Sequence, residues 1–155
     1  MHIYIMRHGQ AEMMANSDSE RALTALGRSE SEQMASSLVK QHITFDAVMV
    51  SPYLRAQQTW ESVRPFFPEI SNVQTVNALT PSGSARISVN EIAALQALGT
   101  KSLLIVSHLP LVGYMVGELV PEAGVPTFAT SALAHVELDD GGFGTLHSLT
   151  RVSQL

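Results

Sequence analysis

Three short apolar runs constrain this chain more than anything else in it. Residues 2–6 (HIYIM), 46–50 (DAVMV) and 102–106 (SLLIV) are almost unbroken in hydrophobic residues. A strand can be apolar on both sides only where both faces of its sheet are covered, as in parallel sheets packed between helices. Between the runs, apolar residues recur at helical spacing instead. Thr24 suits a helix N-cap, and a helix to about Lys40 offers Leu26, Met34 and Leu38 as its inner face. Ser51-Pro52 suits an N-cap followed by the first helical residue. Tyr53, Ala56, Trp60, Val63 and Phe67 then form a core stripe, on a helix expected to stop before Pro68. A short strand at 73–76 precedes a helix over about 84–98, with Ile87, Ile92, Leu95 and Leu98 available for burial. Pro110 opens another helix to about Val120, and strands near 132–138 and 143–151 flank the turn Asp139-Asp140-Gly141-Gly142. The alternation predicts a three-layer α/β fold with a mixed, mainly parallel sheet.

At 155 residues the chain is expected to form one domain over 1–155. Hydrophobic residues make up 45% and charged residues 15%, which excludes a disordered chain. Nine Lys and Arg against fourteen Asp and Glu, with no basic face, argue against nucleic-acid binding. The absence of Cys excludes disulfides, thiolate catalysis and Cys-ligated metal sites. The first apolar run is too short for a signal peptide and ends at Arg7. The longest apolar window, residues 103–120, is interrupted by His108, Pro110 and Glu118, so no membrane helix is expected. A cytoplasmic protein without membrane contact is the expectation.

The chemistry is concentrated where the apolar runs end. The first ends in Arg7-His8-Gly9, the second in Ser51-Pro52 with Arg55 soon after, and the third in Ser107-His108. In an open α/β sheet, ligands bind outside the carboxyl ends of the strands. These junctions should therefore bring two guanidinium groups and two imidazoles to one edge. Arg matches phosphate oxygens with a planar fork, and a helix N-terminus adds to an anion site. No metal is expected, since a cation on His8 and His108 would face Arg7 and Arg55 with no carboxylate at ligand spacing. Ser107 and His108 are adjacent on an extended segment and point apart, so they form no dyad. No G-x-S-x-G elbow is present, and Gly99-Thr100-Lys101-Ser102 lacks the spacing of a phosphate loop. His2, His42, His135 and His147 take structural or surface roles by default, and Arg28 with Glu32 reads as an exposed pair.

Arg7-His8-Gly9, Leu23-Thr24-x-x-Gly27-Arg28, Ser51-Pro52-x-x-Arg55-Ala56-x-Gln58-Thr59 and Ser107-His108, in that order, resemble the histidine phosphatase (phosphoglycerate mutase-like) superfamily. The short chain, Leu79-Thr80-Pro81 and His108-Leu109-Pro110-Leu111-Val112-Gly113 are most similar to its SixA-type phosphohistidine phosphatase group. The resemblance implies a two-step phosphoryl transfer through phospho-His8, with Arg7, Arg55 and His108 stabilising the phosphoryl oxygens and no cofactor. An ordinary imidazole is substantially neutral at pH 7, so one nitrogen of His8 has a free lone pair and the other is expected to donate to a backbone carbonyl.

Superfamily members that cleave phosphate esters place a carboxylic acid after the third strand, by the same resemblance. Here residues 77–83 (NALTPSG) hold none. An alkoxide leaves poorly without a proton, whereas a protonated phosphoimidazole leaves as neutral imidazole. The departure favours a P–N substrate. Asp18, ahead of Glu12 and Glu20, is the candidate for an acid on the first loop. Residues 56–107 leave little room for a lid over small substrates. The implied partner is a phosphorylated histidine-containing phosphotransfer protein or a similar phosphocarrier. A small-ester phosphatase or mutase of the same superfamily, and a phosphoprotein-binding pseudoenzyme, are the alternatives.

Overall fold

Strand order in the single six-stranded sheet is what sets the site. The computed structural model describes residues 1–155. Its elements are β1 (His2–Arg7), α1 (Ala25–Lys40), β2 (Ala47–Val50), α2 (Leu54–Val63), β3 (Val73–Thr75), α3 (Ala85–Ala97), β4 (Ser102–Ser107), α4 (Leu111–Leu119), β5 (Leu133–Leu138) and β6 (Gly144–Thr150). The order across the sheet is β3-β2-β4-β1-β5-β6. β3, β2, β4 and β1 run parallel, and β5 and β6 add antiparallel pairings at one side. The fold is thus the three-layer α/β arrangement with a mixed sheet. The register levels the carboxyl ends: Arg7 lies opposite Ser107, and Val50 opposite Val106.

The apolar runs are continuous because each strand feeds two cores. Ile3, Ile5, Met49, Leu103 and Ile105 pack with Ile92 of α3 and with Leu111 and Met115 of α4. Tyr4, Met6, Val48, Val50, Leu104 and Val106 pack with Met34 and Leu38 of α1 and with Trp60 and Val63 of α2. Consecutive residues of one strand point to opposite faces, so neither set can become polar without exposing or burying the wrong groups. No helix is long and apolar enough to cross a membrane.

Several boundaries and faces differ from the sequence expectation. α1 is capped by Thr24 as expected, its side chain accepting from Gly27 N, but Leu26 is exposed. The inner face is Gly27, Ser31, Met34, Ala35 and Leu38. It begins with small residues because α1 lies directly on backbone there. α2 starts at Leu54 with no side-chain cap, so Ser51 does not cap it. It ends at Val63, where Pro65 interrupts the hydrogen-bond ladder ahead of Pro68 and leaves one 3₁₀ turn over 64–66. On α3, Ile87 and Leu98 are exposed, and Ser88 and Ile92 are the buried residues. The Asp139–Gly142 turn closes the β5–β6 hairpin, with Asp139 Oδ1 accepting from Gly141 N and Phe143 N at 2.9 Å each.

Gly27 shows how tightly α1 meets the first loop. A Cβ there would stand 2.2 Å from the Gln10 carbonyl oxygen and 2.9 Å from Gln10 N. Gly to Ala in a helix ordinarily gains about 1 kcal/mol. Here backbone must move, and overpacking of that kind costs about 1–3 kcal/mol. The steric term is expected to win, so Gly27→Ala should lower the unfolding free energy in urea melts; a gain in stability would show that the loop yields freely.

Candidate functional site

The three expected junctions meet at one edge of the sheet. His8 N donates to Ser107 O at 2.9 Å, and Ser51 N to Val106 O at 3.0 Å, so β4 ties the ends of β1 and β2 together. Gly9 N donates to Thr59 Oγ1 at 3.0 Å, and Thr59 Oγ1 donates to Arg55 O at 2.8 Å, which joins the first junction to α2. A side chain at Gly9 would place Cβ 2.6 Å from Gly27 O. The close approach there is therefore by backbone of α1.

Arg7, His8, Arg55 and His108 come together as a group. His8 is 7% exposed, and its Nδ1 lies 2.7 Å from Gly9 O. A carbonyl only accepts, so Nδ1 carries the proton and Nε2 holds the lone pair. Arg55, buried, donates through Nε to His8 Nε2 at 3.3 Å. The His108 ring lies 5.0 Å from the His8 ring, centroid to centroid, and its Nε2 is 2.7 Å from Ser51 Oγ. Arg7 Nη1 donates to Phe128 O at 2.8 Å. Two buried nitrogens, Arg7 Nε and His108 Nδ1, have no partner within the protein.

Burial chiefly sets the charge states of the imidazoles. It pushes His8 down to about 4, against the Gly9 carbonyl, which raises it, while the Arg55, Arg7 and Arg21 cations add to the lowering. Burial again leads at His108, pushed down to about 2, followed by His8 and Arg55. Both rings are neutral near pH 7. Arg7 is lowered by burial and then by Arg55, yet a guanidinium stays charged. The arrangement offers one lone pair surrounded by cations and spare N–H donors. It can hold a tetrahedral oxyanion against a nucleophilic nitrogen.

Asp18 is beside this group, but in the wrong form for an acid. Its Oδ1 is 3.0 Å from Arg21 Nη1 and its Oδ2 is 3.1 Å from Arg55 Nη2. Arg21 first, then Arg55, hold its carboxyl below the usual range. Glu12 and Glu20 are exposed, and neither carboxylate makes a hydrogen bond or ion pair. No group of three or more His, Asp and Glu side chains is disposed to hold a metal ion.

Sequence reasoning missed four contributors. Ser51 serves His108 instead of capping α2. Tyr53, expected in the core, sets its ring edge-on to His108 at 5.2 Å, with the Arg55 guanidinium 5.1 Å from its centroid. Thr59 ties Gly9 to α2, and Arg21 reaches Asp18. Thr59 is four residues after Arg55, hence on the same helix face, which was the available signal. Arg21 gave none, because its spacing to Asp18 acquires meaning only once Arg55 is placed.

The family model of the histidine phosphatase superfamily (branch 1) matches residues 3–80. Phosphohistidine phosphatase SixA of Escherichia coli (strain K12) is 45% identical over 147 residues, covering 95% of this chain and 91% of that one. The chain belongs to the histidine phosphatase superfamily. A SixA homolog of Haemophilus influenzae is 40% identical over 147 residues, covering 90% of this chain and 89% of that one. The structure of the protein histidine phosphatase SixA complexed with tungstate superposes with a TM-score of 0.96, at 43% identity, covering 99% of this chain and 98% of that one. The stretch that carries the superfamily match contains Arg7, His8 and Arg55 but stops short of His108. In this superfamily member β4 supplies the second imidazole by lying between β1 and β2.

Proposed function

We propose that this chain is a protein phosphohistidine phosphatase, that residues 1–155 act as one catalytic domain, and that the phosphoryl group passes through His8. The observation that carries the proposal is the neutral His8 Nε2, turned towards Arg55 by the Nδ1 bond to Gly9 O. In the first step Arg55 Nε–H turns from His8 Nε2 to a phosphoryl oxygen, and the freed lone pair forms a P–N bond while the substrate's P–N bond breaks. The electron pair leaves with the substrate imidazole, already protonated on its ring, so neutral imidazole departs. In the second step water attacks phosphorus, the bond to His8 breaks, the pair returns to Nε2, and both water protons depart on the released dihydrogen phosphate. Arg7 Nε and His108 Nδ1, the two unpartnered donors, suit the phosphoryl oxygens. His108 is neutral, so it has one N–H; a Ser51 hydroxyl that donates to Nε2 leaves that proton on Nδ1.

The substrate class follows from what surrounds the site. The turn over Asn77–Leu79 and the residues to Gly83 bring no carboxylate. Asp18 is ion-paired. A leaving group that needs no enzyme acid, a phosphorylated imidazole, fits this environment. The larger grooves of the molecule do not enclose His8; the biggest, lined by Phe45, Phe67 and Ile70, lies at the amino ends of β2 and β3. Between Arg55 and His108 the one further helix, α3, packs on the sheet core through Ile92 and forms no lid, which suits a histidine carried on a folded protein. The partner is a phosphorylated histidine-containing phosphotransfer domain or phosphocarrier, met in the cytoplasm within two-component signalling. Similarity to the phosphohistidine phosphatase SixA and to its homolog supports the same class.

The test is phosphate release from a phosphohistidine-bearing phosphotransfer domain, with an aryl phosphate in parallel and with chelator present. Release from the protein, slow turnover of the ester and indifference to chelator are expected. Fast turnover of the aryl ester alone would replace the proposal with a small-ester phosphatase. Retained phosphoprotein binding with no turnover would replace it with a binding protein.

A further inference from the structure

We infer that Asp18 and Arg21 are positioning residues that aim the Arg55 guanidinium at His8 Nε2, a step that rests on the phospho-His8 reading above. Arg55 approaches from the first turn of α2, where a cation is unfavourable next to the helix N-terminus. Arg7 adds a second positive charge nearby. On electrostatics alone the guanidinium should turn outward to water. It is instead buried, and the first loop supplies what holds it. The Asp18 carbonyl accepts from Arg55 Nη1 at 2.7 Å, and Asp18 Oδ2 from Nη2 at 3.1 Å. Two contacts on two different nitrogens fix the plane of the group, and Nε–H then falls on His8 Nε2.

Arg21 fixes Asp18 in turn. Its Nη1 binds Asp18 Oδ1 at 3.0 Å, and its Nε donates to Glu12 O at 2.7 Å. Glu12 N donates to Ala22 O at 2.8 Å, so the loop from Glu12 to Ala22 is closed at its base and braced across its middle. A guanidinium has five N–H donors. Asp18 takes two, which leaves three for an oxyanion once Nε–H is released from His8 Nε2. Asp18 and a phosphoryl group can therefore be held at once. The Asp18 carboxylate is half exposed, and such an ion pair contributes little to stability. Its effect should appear in rate.

The experiment compares Asp18→Ala, Asp18→Asn, Arg21→Ala and the double Asp18→Ala/Arg21→Ala variant, each with a thermal melt to verify folding. Three readouts are taken: kcat and KM on a phosphohistidine phosphotransfer domain, binding of inorganic phosphate, and the nitrogen NMR shift of His8 Nε2. Misplacing a reacting group by about 1 Å costs up to about 10²-fold. Asp18→Ala should lower kcat by about that factor and shift the His8 signal. Asp18→Asn keeps a side-chain acceptor for Arg55 Nη2, where Asp18→Ala leaves only the backbone carbonyl, so it should recover about tenfold of the loss and retain the wild-type pH profile. Arg21→Ala should fall between, and the double variant should be no worse than Asp18→Ala. Equal loss in Asn and Ala, with an altered alkaline limb, would overturn the inference in favour of an acid. Unchanged kinetics in all four would reduce the contacts to a surface ion pair. If wild type does not turn over phosphohistidine protein, the function reading fails by itself; the positioning role still stands if the His8 signal and phosphate binding move in Asp18→Ala, and falls with it if they do not.

Discussion

Replacing His8 by alanine is expected to reduce phosphate release from a phosphohistidine protein by about 10⁴-fold or more, the scale on which removal of a covalent nucleophile is felt. The magnitude follows from how little else the edge offers. Arg7, Arg55 and His108 can hold and polarise a phosphoryl group, but they offer it no lone pair: both guanidinium groups are charged, and His108 spends its lone pair on the Ser51 hydroxyl while its unpartnered Nδ1 carries the proton. Direct attack by water on the substrate would then have to replace the transfer to Nε2, and water is a weaker nucleophile than a neutral imidazole nitrogen. Removing the ring leaves the surrounding backbone anchored, since His8 N is bonded to Ser107 O and Gly9 N to Thr59 Oγ1. His8→Ala should therefore remain folded and still bind inorganic phosphate. Rapid quench of the wild type with labelled substrate should trap one phosphoryl group on His8, and His8→Ala should trap none. Residual turnover within tenfold of wild type, or label on another residue, would remove His8 from the centre of the reaction.

Legibility in the sequence divides along a physical line. Strands are visible where both faces are buried, because continuous apolarity in residues 2–6, 46–50 and 102–106 is sustainable only where neither face meets water. Junction residues are visible because Arg and His at a strand end are costly without a purpose. Helix faces are legible only where burial means large apolar side chains. Leu26 fits the periodicity of α1 but stands in water, while Gly27 and Ser31 form the true inner face, since what lies opposite is the backbone of Gln10 and Gly9. A small-residue stripe carries no hydrophobic signal. Ser51 misleads for a related reason. A hydroxyl before Pro resembles a cap, and the side chain instead serves a histidine 57 positions away. Arg21 and Asp18 have ordinary local spacing for an exposed pair, and only the tertiary placement of Arg55 distinguishes them. What local sequence encodes is readable; what depends on one side chain meeting another across the sheet is not.

The neutrality of the two site imidazoles should also make the protein sensitive to mild acid. Folding holds His8 down to about 4 and His108 down to about 2, from 6.5 in each case. Between these values the unfolded chain binds protons that the folded one refuses, so stability is fully present above pH 6.5 and is lost as pH falls below it. Each proton difference is worth about 1.4 kcal/mol per pH unit. From pH 7 to 5 each imidazole should remove about 2 kcal/mol, or about 4 kcal/mol together, a large share of the ~5–15 kcal/mol that holds a domain folded. Asp18, with its carboxyl lowered by Arg21 and Arg55, acts below this window, because it stays ionised in both states above pH 5. His135, lowered by burial and by His147 and His2, adds in the same direction from β5, where it stacks on Tyr4. Site and surroundings can be separated with His8→Gln, which keeps a polar amide and removes one titrating group. Urea melts at half-unit steps of pH should show wild-type stability falling steeply from pH 7 to 5. His8→Gln should follow a shallower line, by about 1.4 kcal/mol per pH unit over the lower half of the range. Parallel lines would mean that His8 takes up its proton at the same pH in the folded as in the unfolded chain, so that burial does not keep its Nε2 pair free as pH falls through 6.5.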